Sequence, residues 1–588
     1  MVALQFLALH LALLLPASLP WHHQHLADPL KCLPENAIAV LQIPSPTRLI
    51  NQWQGYFNHL QLNRFEEVSE LLQSTPAVRF KQYLNYLETE YKQPWHQLLD
   101  GLAAKGLTLA LVPQEGSKQP QIMALAVAND SVQLKKISSG ILDLIKENLG
   151  QENVFLSFQK QQHRGATIHS LGNQFYLAVF ENYFMAGNGS TLIKTTIDRI
   201  IDGKGKSLLD HPRFIVKEKP SSEDVTLWGW FDAQYYKDQA KSELENIKLP
   251  ANDIIPQLLL GGLLDTWVRS DHFWLSLSQG THGPCLEVTS PAGRKLSQEG
   301  ARILHMHDPE RESLLSLLNP PGTVFSTSFY FNFAEMWKHR TKLFKEGALK
   351  DVEEGEKTIK PFLAGNTPGK IISTLGARHR LVIAQQRKRE YTTKPKIIYP
   401  AAALVFECTD PDQFNKMIAV PLHTAGFLYS TQVSMKLNEE TFMDTKIISY
   451  QFTENEKNQQ YEQGVLFNVT PSFARAGNYF VLSSSRELCR NLVKELRSNQ
   501  TDGHADKDHA DIRHRFSWTA LGQVLSSEQP RIATELTLRH GGDAETVETQ
   551  ISSLLSLLNE LGTIELSISH SPVFRLQLQA NYLNPKAR

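Results

Sequence analysis

The sequence MALAV at residues 123–127 recurs as AALVF at residues 402–406. Each copy is followed by a polar turn that contains an aspartate, Asp130 or Asp410, and then by a sequence with helical spacing of its apolar residues. A short apolar run between turn signals indicates a buried strand, and an aspartate before an apolar repeat is a common helix N-cap. Both copies therefore predict a buried strand, a turn and a helix.

Further matches follow in the same order along the chain, with offsets of 279 to 296 residues. Collinear self-similarity is the sequence signature of an internal repeat. We predict an export segment at 1–27, a first half at 33–290, a connector at 291–319 and a related second half at 320–588. The alternative is two unrelated α+β domains that share common supersecondary units. The matches are 182–186 with 478–482, 168–170 with 447–449, 228–230 with 516–518, and 275–278 with 566–569.

The predicted elements of each half are strands joined mostly by hairpins, with helices between some of them. Hairpins outnumber crossover units, and this favours antiparallel or mixed sheets over parallel ones. We therefore predict an α+β fold of two tandem related halves, each with mixed or mainly antiparallel sheets covered by helices on one face.

Composition narrows the class of protein. The 588 residues include 60 Lys and Arg against 61 Asp and Glu, and 41% are hydrophobic. A net charge of -1 argues against nucleic-acid binding, which rests on a surplus of basic residues. The chain is ordinary globular material, neither collagenous nor disordered nor rich in disulfides. Its four cysteines are scattered singly and are expected to be buried, although pairing in an oxidising compartment stays open: Cys32, Cys285, Cys408 and Cys489.

The N-terminus has the character of an export signal. Residues 1–27 contain no charged side chain, and residues 2–15 are almost wholly apolar. About 14 apolar residues are too few to span a bilayer as a helix but fit the core of a signal peptide. A buried first helix of a cytosolic protein is the alternative, and Pro16 and Pro20 disfavour it. We expect a periplasmic or extracellular protein, soluble and without an integral membrane segment once processed.

Three sequences resemble a family of uncharacterised exported bacterial proteins, found mainly in planctomycete-type genomes. They are LPENAIAV at 33–40, SLLDHPRF at 207–214, and the strand and turn at 400–412. Members of that family carry a signal sequence and repeated copies of a domain of unknown function. The resemblance implies export, and it transfers no catalytic or binding residue to this chain.

Motifs of known chemistry do not fit. The sequence GKGKS at 203–207 resembles a phosphate loop, but it follows a predicted helix and its first glycine is missing. Histidines cluster at 22–25, 305–307 and 504–514 in segments predicted to be loops, where a fixed set of four zinc ligands is not expected. No Gly-x-Ser-x-Gly sequence occurs. We therefore assign no catalytic residue, no cofactor and no tightly bound metal.

A basic run occupies the predicted hairpin tip after residue 384. Arg387, Lys388 and Arg389 could contact an anionic polymer, since clustered cations attract polyanions. The alternative is a solvated loop, because the matching loop at 113–120 is nearly uncharged.

The sequence thus favours an exported, non-catalytic binding protein or cell-envelope component. Its partner is expected to be an envelope protein or a polymer, and not nucleic acid. Two alternatives stay open. One is an extracytoplasmic hydrolase with dispersed catalytic residues, since a fold does not exclude a function. The other is an anionic-polymer binder that uses Arg387, Lys388 and Arg389.

Overall fold

The computed structural model describes residues 28–151, 158–239, 266–291, 314–498 and 510–582, apart from short gaps at 115, 118, 173, 204, 221, 268, 281–282, 344–345, 364, 389, 542 and 571–572. The chain divides into two compact units: the first holds 1–239 and 271–288, and the second holds 240–270 and 289–588. The predicted export segment and most of the predicted connector lie outside the described residues. The predicted domain boundaries stay predictions.

The sheet of the first unit contains ten strands among the described residues. Their order is 4-5-6-7-3-2-1-8-9-10, and every pair with a defined register is antiparallel. The strands are β1 (Ala39–Ile43), β2 (Leu107–Val112), β3 (Gln121–Val127), β4 (Phe158–His163), β5 (Ala166–Leu171), β6 (Phe175–Phe180), β7 (Tyr183–Gly187), β8 (Val225–Asp232), β9 (His272–Gln279) and β10 (Pro284–Ser290).

Ten described strands also form the sheet of the second unit, in the order 14-15-16-17-13-12-11-18-19-20, again antiparallel. They are β11 (Thr323–Tyr330), β12 (Leu375–Ala384), β13 (Ala401–Cys408), β14 (Met435–Phe442), β15 (Thr445–Phe452), β16 (Ser472–Ala476), β17 (Tyr479–Ser483), β18 (Ile512–Ser517), β19 (Thr563–Ser569) and β20 (Phe574–Asn581). With helices against both sheets, the predicted α+β class is confirmed.

Helices connect the strands at several matching places in the two units, although α13 (Glu456–Gln460) has no counterpart between β5 and β6. No helix among the described residues has both the length and the hydropathy needed to cross a membrane. In the first unit they are α1 (Pro29–Cys32), α2 (Pro46–His59), α3 (Glu66–Gln73), α4 (Thr75–Tyr91), α5 (Trp95–Leu102), α6 (Ser131–Gln151), α7 (Ser190–Asp202) and α8 (Ala233–Gln239). In the second they are α9 (Phe333–Leu343), α10 (Glu346–Ile359), α11 (Pro368–Ile372), α12 (Pro411–Gln432), α13 (Glu456–Gln460), α14 (Arg486–Ser498), α15 (Trp518–Ser526), α16 (Gln529–His540) and α17 (Ala544–Glu560).

The predicted strand, turn and helix units form as the sequence indicates. The Asp410 carboxylate accepts from the backbone N–H of Gln413 at 2.9 Å, and the Asp130 carboxylate accepts from that of Val132 at 2.7 Å. Each bond satisfies an N–H that the first turn of a helix leaves without an internal partner. These two aspartates therefore begin α12 and α6.

Backbone hydrogen bonds relate the two units position by position. The N–H of Ala128 donates to the carbonyl of Asn182, and the N–H of Cys408 donates to the carbonyl of Asn478, both at 2.8 Å. Ladder registers extend this correspondence from strand to strand, because each residue faces one defined partner. The two units share the strand order that a duplication predicts, and duplication itself stays a prediction.

The correspondence corrects one detail of the predicted alignment, which paired Trp230 with Trp518. Trp230 lies inside β8 opposite Val40, whereas Trp518 is the first residue of α15. The registers place Arg515, opposite Ser326, at the position of Trp230. The sequence match was displaced by three residues because it followed the aromatic side chains, not the ladder.

Helices cover both faces of each sheet, and the expectation of one covered face was wrong. In β3, Leu125 and Val127 pack with Ile193 of α7, while Ala124 and Ala126 pack with Leu134 of α6. Successive side chains of a strand point to opposite faces, so a strand buried on both faces is apolar at every position. The uninterrupted MALAV sequence carries that signal.

The four cysteines are buried, as the core interpretation predicted, and none of them forms a disulfide with another. Burial raises the pKa of the thiols of Cys32, Cys408 and Cys489 to about 12. A thiol with so high a pKa is a poor nucleophile and a poor metal ligand. These side chains act as small apolar residues.

Candidate anion-binding site

The basic residues that the sequence singled out lie in the loop between β12 and β13, which pair as the predicted hairpin. Arg387 and Lys388 are exposed, and Arg389 lies outside the described residues. The contact of these residues with a polymer stays a prediction.

The main chain of this loop is bonded to the rest of the second unit, so the loop is more than a solvated tip. The N–H of Lys388 donates to the Glu487 carboxylate at 3.0 Å, and the N–H of Glu487 donates to the Glu390 carboxylate at 3.1 Å. The Tyr391 hydroxyl donates to the carbonyl of Val469 at 2.9 Å. These bonds fix the backbone while the Arg387 and Lys388 side chains stay exposed.

A different group of polar residues crosses the middle of the second sheet. Ser328 of β11 lies directly opposite Arg380 of β12 on one side and Arg513 of β18 on the other. Directly opposed residues of antiparallel strands place their Cβ atoms about 5 Å apart on one face. Three adjacent strands therefore present Arg380, Ser328 and Arg513 in a row, and we call Arg380 with Ser328 the Arg380 site.

Arg380 is a buried cation without a hydrogen-bonding partner. Its residue is 4% exposed, and its Nε and Nη1 find no acceptor among the residues that the structure describes. The guanidinium lies over the Tyr479 ring, 5.3 Å from the ring centroid. Burial lowers the pKa of Arg380 to about 10, which still leaves it charged at neutral pH. Ser328 is fully buried, and its hydroxyl likewise has no partner in the described ranges.

Neighbouring arginines on the same face do have carboxylate partners. Arg378 forms an ion pair with Glu407, and Arg515 forms one with Glu565 at 2.7 Å. Within the described part of the chain, no carboxylate lies at ion-pair distance from Arg380. Of the arginines Arg378, Arg380 and Arg515, Arg380 is thus the one without a carboxylate partner among the described residues.

Two carboxylates, Glu407 and Glu495, act on the Arg380 charge without a direct bond. Glu495 of α14 accepts a hydrogen bond from the backbone N–H of Asn319 at 3.0 Å. Burial raises the pKa of Glu495, and the bond from Asn319 and the charge of Arg380 oppose that rise. Glu495 thus lies close enough to Arg380 for their charges to interact, without a direct bond.

The matching row of the first unit is uncharged. Gln42 of β1 lies opposite Thr108 of β2 and opposite Trp228 of β8. The Gln42 side chain donates to the carbonyl of Lys105 at 3.3 Å. The same three sheet positions therefore hold Thr, Gln and Trp in one unit and Arg, Ser and Arg in the other.

The positions two residues further along these strands also differ between the two units. In the first unit Trp230 faces Trp274, and the Trp274 ring packs on Trp228 and Phe214 with centroids 5.8 and 5.0 Å apart. Arg515 and Glu565 occupy the places of Trp230 and Trp274 in the second unit. These positions thus hold aromatic core residues in the first unit and charged residues, buried or half-buried, in the second.

The SLLDHPRF sequence at 207–214, one of those that carried the family resemblance, has a packing role. His211 and Arg213 both bond to the buried carboxylate of Asp232, with the Arg213 Nη2 at 2.7 Å. Burial alone would raise the pKa of Asp232, but these hydrogen bonds outweigh it and lower the pKa to about 2. The His211 Nδ1 in turn accepts from the backbone N–H of Arg213. The network is satisfied internally and holds Phe214 against the tryptophans.

A second buried group is an Asp–His pair in the second unit. The Nδ1 of His570 lies 2.9 Å from the Asp511 carboxylate, and the His570 backbone N–H donates to the same oxygen at 2.8 Å. Its Nε2 is buried and has no partner among the described residues. A hydrolase would need a nucleophile at this Nε2, and no hydroxyl of a described residue bonds to it.

The predicted histidine clusters at 22–25, 305–307 and 504–509 lie outside the described residues. His514, at the end of the last cluster, lies in β18, where its ring stacks on Phe325 at 5.7 Å. Burial lowers the pKa of His514. No group of three metal-binding side chains occurs in the part of the chain that the structure describes.

Sequence reasoning missed Arg380, although β12 carries a signal for it. In the sequence ARHRLVIA at 377–384, Arg380 shares one face with Val382 and Ala384, because side chains alternate along a strand. An arginine that adjoins core residues on one face of a strand is a candidate for a buried cation.

Comparison with protein families and with characterised proteins gives no match. Two solved structures, "Structure of crystal form I of TP0453" and "Structure of crystal form III of TP0453", share 11% and 12% sequence identity with this chain. They cover 47% and 48% of it and 83% and 89% of their own chains, with TM-scores of 0.22 and 0.25. A likeness at these TM-scores carries no argument about fold or function.

Proposed function

We propose that the protein is an exported, non-catalytic binding protein whose second unit binds an anionic ligand at Arg380. One observation carries the proposal: a buried guanidinium whose Nε and Nη1 have no acceptor among the residues that the structure describes. Burying a charge without a partner is unfavourable, and an anion that accepts from both nitrogens removes that cost. Export is supported by the uncharged, apolar sequence at 1–27.

Binding is favoured over catalysis by the chemistry of the donors. Arg380 and Ser328 offer positive charge and hydrogen bonds, which hold an anion in place without transforming it. The aromatic core at the matched positions of the first unit fits a division of roles, with one unit packed and the other adapted to a ligand.

The hydrolase alternative is favoured only by the Asp511–His570 pair, whose free Nε2 could take a proton from a nucleophile. It predicts hydrolysis of an ester or glycoside substrate that stops in His570→Gln. The binding proposal predicts no hydrolysis by the wild type or by His570→Gln.

Titration calorimetry with sulfate, inorganic phosphate, citrate and glucuronate tests the binding proposal. Arg380→Met removes the charge and keeps an unbranched side chain, and Arg539→Met removes an arginine that is 70% exposed on α16. We expect at least one anion to bind the wild type, with affinity at least tenfold lower in Arg380→Met and unchanged in Arg539→Met. A tenfold loss corresponds to about 1.4 kcal/mol, close to the lower end of the range of about 1.5 to 3 kcal/mol for a hydrogen bond to a charged group. Equal binding by Arg380→Met, or no binding by the wild type, would refute the proposal.

A further inference from the structure

Two groups in the Arg380 site have no hydrogen-bond partner in the described part of the chain: the Arg380 guanidinium, at its Nε and Nη1, and the Ser328 hydroxyl. They face each other across one strand pair, with Cβ atoms about 5 Å apart. Both are enclosed, since Arg380 is 4% exposed and Ser328 is fully buried. A ligand that reaches both must therefore lie on the sheet face that the two side chains share, over these two neighbouring strands.

The polar groups around the site already have partners. On one side Arg378 is paired with Glu407, and on the other the Ser326 hydroxyl donates to the carbonyl of Leu318 at 2.6 Å. The Tyr479 ring covers one face of the guanidinium. Beside these partnered groups, the Arg380 guanidinium and the Ser328 hydroxyl have no hydrogen-bond partner among the described residues.

We infer, on the basis of the proposed function, that the Arg380 site takes a single compact oxyanion and excludes anionic polymers. A sulfate, a phosphate or a carboxylate group presents several oxygens on one centre, which can accept from Arg380 and Ser328 together. The inner charges of a polymer cannot reach a residue that is 4% exposed without burying the flanking chain. The exposed Arg387 and Lys388 offer the kind of surface that suits a polymer.

The experiment compares small and polymeric forms of the same charged group on the full chain. Sulfate is paired with dextran sulfate, and inorganic phosphate with long-chain polyphosphate. The variants are Arg380→Met, Ser328→Ala and the double variant Arg387→Ala/Lys388→Ala, with Arg539→Met as the charge control. Circular dichroism and thermal melting verify that each variant is folded.

For the small anion, we expect affinity at least tenfold lower in Arg380→Met, several-fold lower in Ser328→Ala, and unchanged in the loop variant. For the polymer, Arg380→Met should have no effect, and any binding should weaken in the loop variant. If Arg380→Met lowers the affinity for the polymer as much as the affinity for the small anion, the size restriction is wrong while the proposed function stands. If neither form depends on Arg380, the proposed function itself fails. A Ser328→Ala variant that binds sulfate and phosphate as tightly as wild type would remove Ser328 from the site.

Discussion

Arg380 in the second unit occupies the sheet position that Thr108 occupies in the first. Both lie on the second strand of their sheets, opposite Ser328 and Gln42 respectively. Thr108 is fully buried and its hydroxyl has no hydrogen-bond partner in the described part of the chain, so a polar group is enclosed at this position in both units. In the second unit that group carries a full positive charge. Burying this charge is less favourable than burying the Thr108 hydroxyl, and a bound anion would reduce the difference.

Replacing Arg380 by methionine should not destabilise the ligand-free protein. The substitution removes an unpaired buried charge, and replacement of buried ions by apolar residues is often neutral or stabilising by about 1 to 4 kcal/mol. Chemical denaturation in a buffer of low anion content measures the effect, with Arg539→Met as the reference. A loss of stability of more than about 1 kcal/mol would mean that Arg380 already has a favourable internal partner.

The affinity for sulfate should rise as the pH falls through the pKa of Glu495, which burial raises. The ionised carboxylate of Glu495 repels an anion at Arg380, and protonation removes that repulsion. Groups that act on Glu495 are the Arg380 charge and the N–H of Asn319. Sulfate is the suitable probe because it keeps its charge across the range.

Glu495→Gln is the matched variant for this pH dependence. It should bind sulfate more tightly than wild type at neutral pH, and its affinity should vary little with pH. If the sulfate affinity of wild type and of Glu495→Gln depends on pH in the same way, the proposed role of Glu495 is wrong. That result would not contradict anion binding at Arg380.

Asp232→Asn should destabilise the protein by about 3 kcal/mol at pH 6, because it breaks a buried pair and leaves Arg213 without its anion. In the wild type the pKa of Asp232 is lowered to about 2. The ionised carboxylate therefore stabilises the fold above the ordinary pKa of an aspartate, and this contribution is lost as the pH falls toward 2. The difference between wild type and variant should therefore shrink in acid. Asp224→Asn, at an exposed carboxylate, is the control. A difference that stays constant with pH would assign the effect to packing.

Export should remove part of the N-terminal segment. A C-terminally tagged full-length chain, expressed in its native host, is expected to fractionate outside the cytoplasm with cleavage after residue 17, 18 or 27. N-terminal sequencing of the purified protein measures this. Recovery of an intact N-terminus from the cytosol would contradict the export hypothesis.

The sequence by itself determined the local elements. The strands around Leu125 and Leu404, the aspartates that begin α6 and α12, and the burial of the cysteines were all predictable. Each depends on residues within a few positions of one another, since hydrophobic period and helix capping are short-range effects. The Arg387 loop was likewise visible as a charge run, but its bonds to Glu487 were not.

The tertiary structure alone decided which residues share the site. Arg380 and Arg513 are 133 residues apart in the sequence, and only strand order and register place them on either side of Ser328. A shift of register by one residue would turn each side chain to the other face of the sheet. Register depends on the packing of the whole sheet with its helices, and no short window of sequence contains that information. For the same reason, the sequence matched Trp230 with Trp518, whereas the ladder matches Trp230 with Arg515.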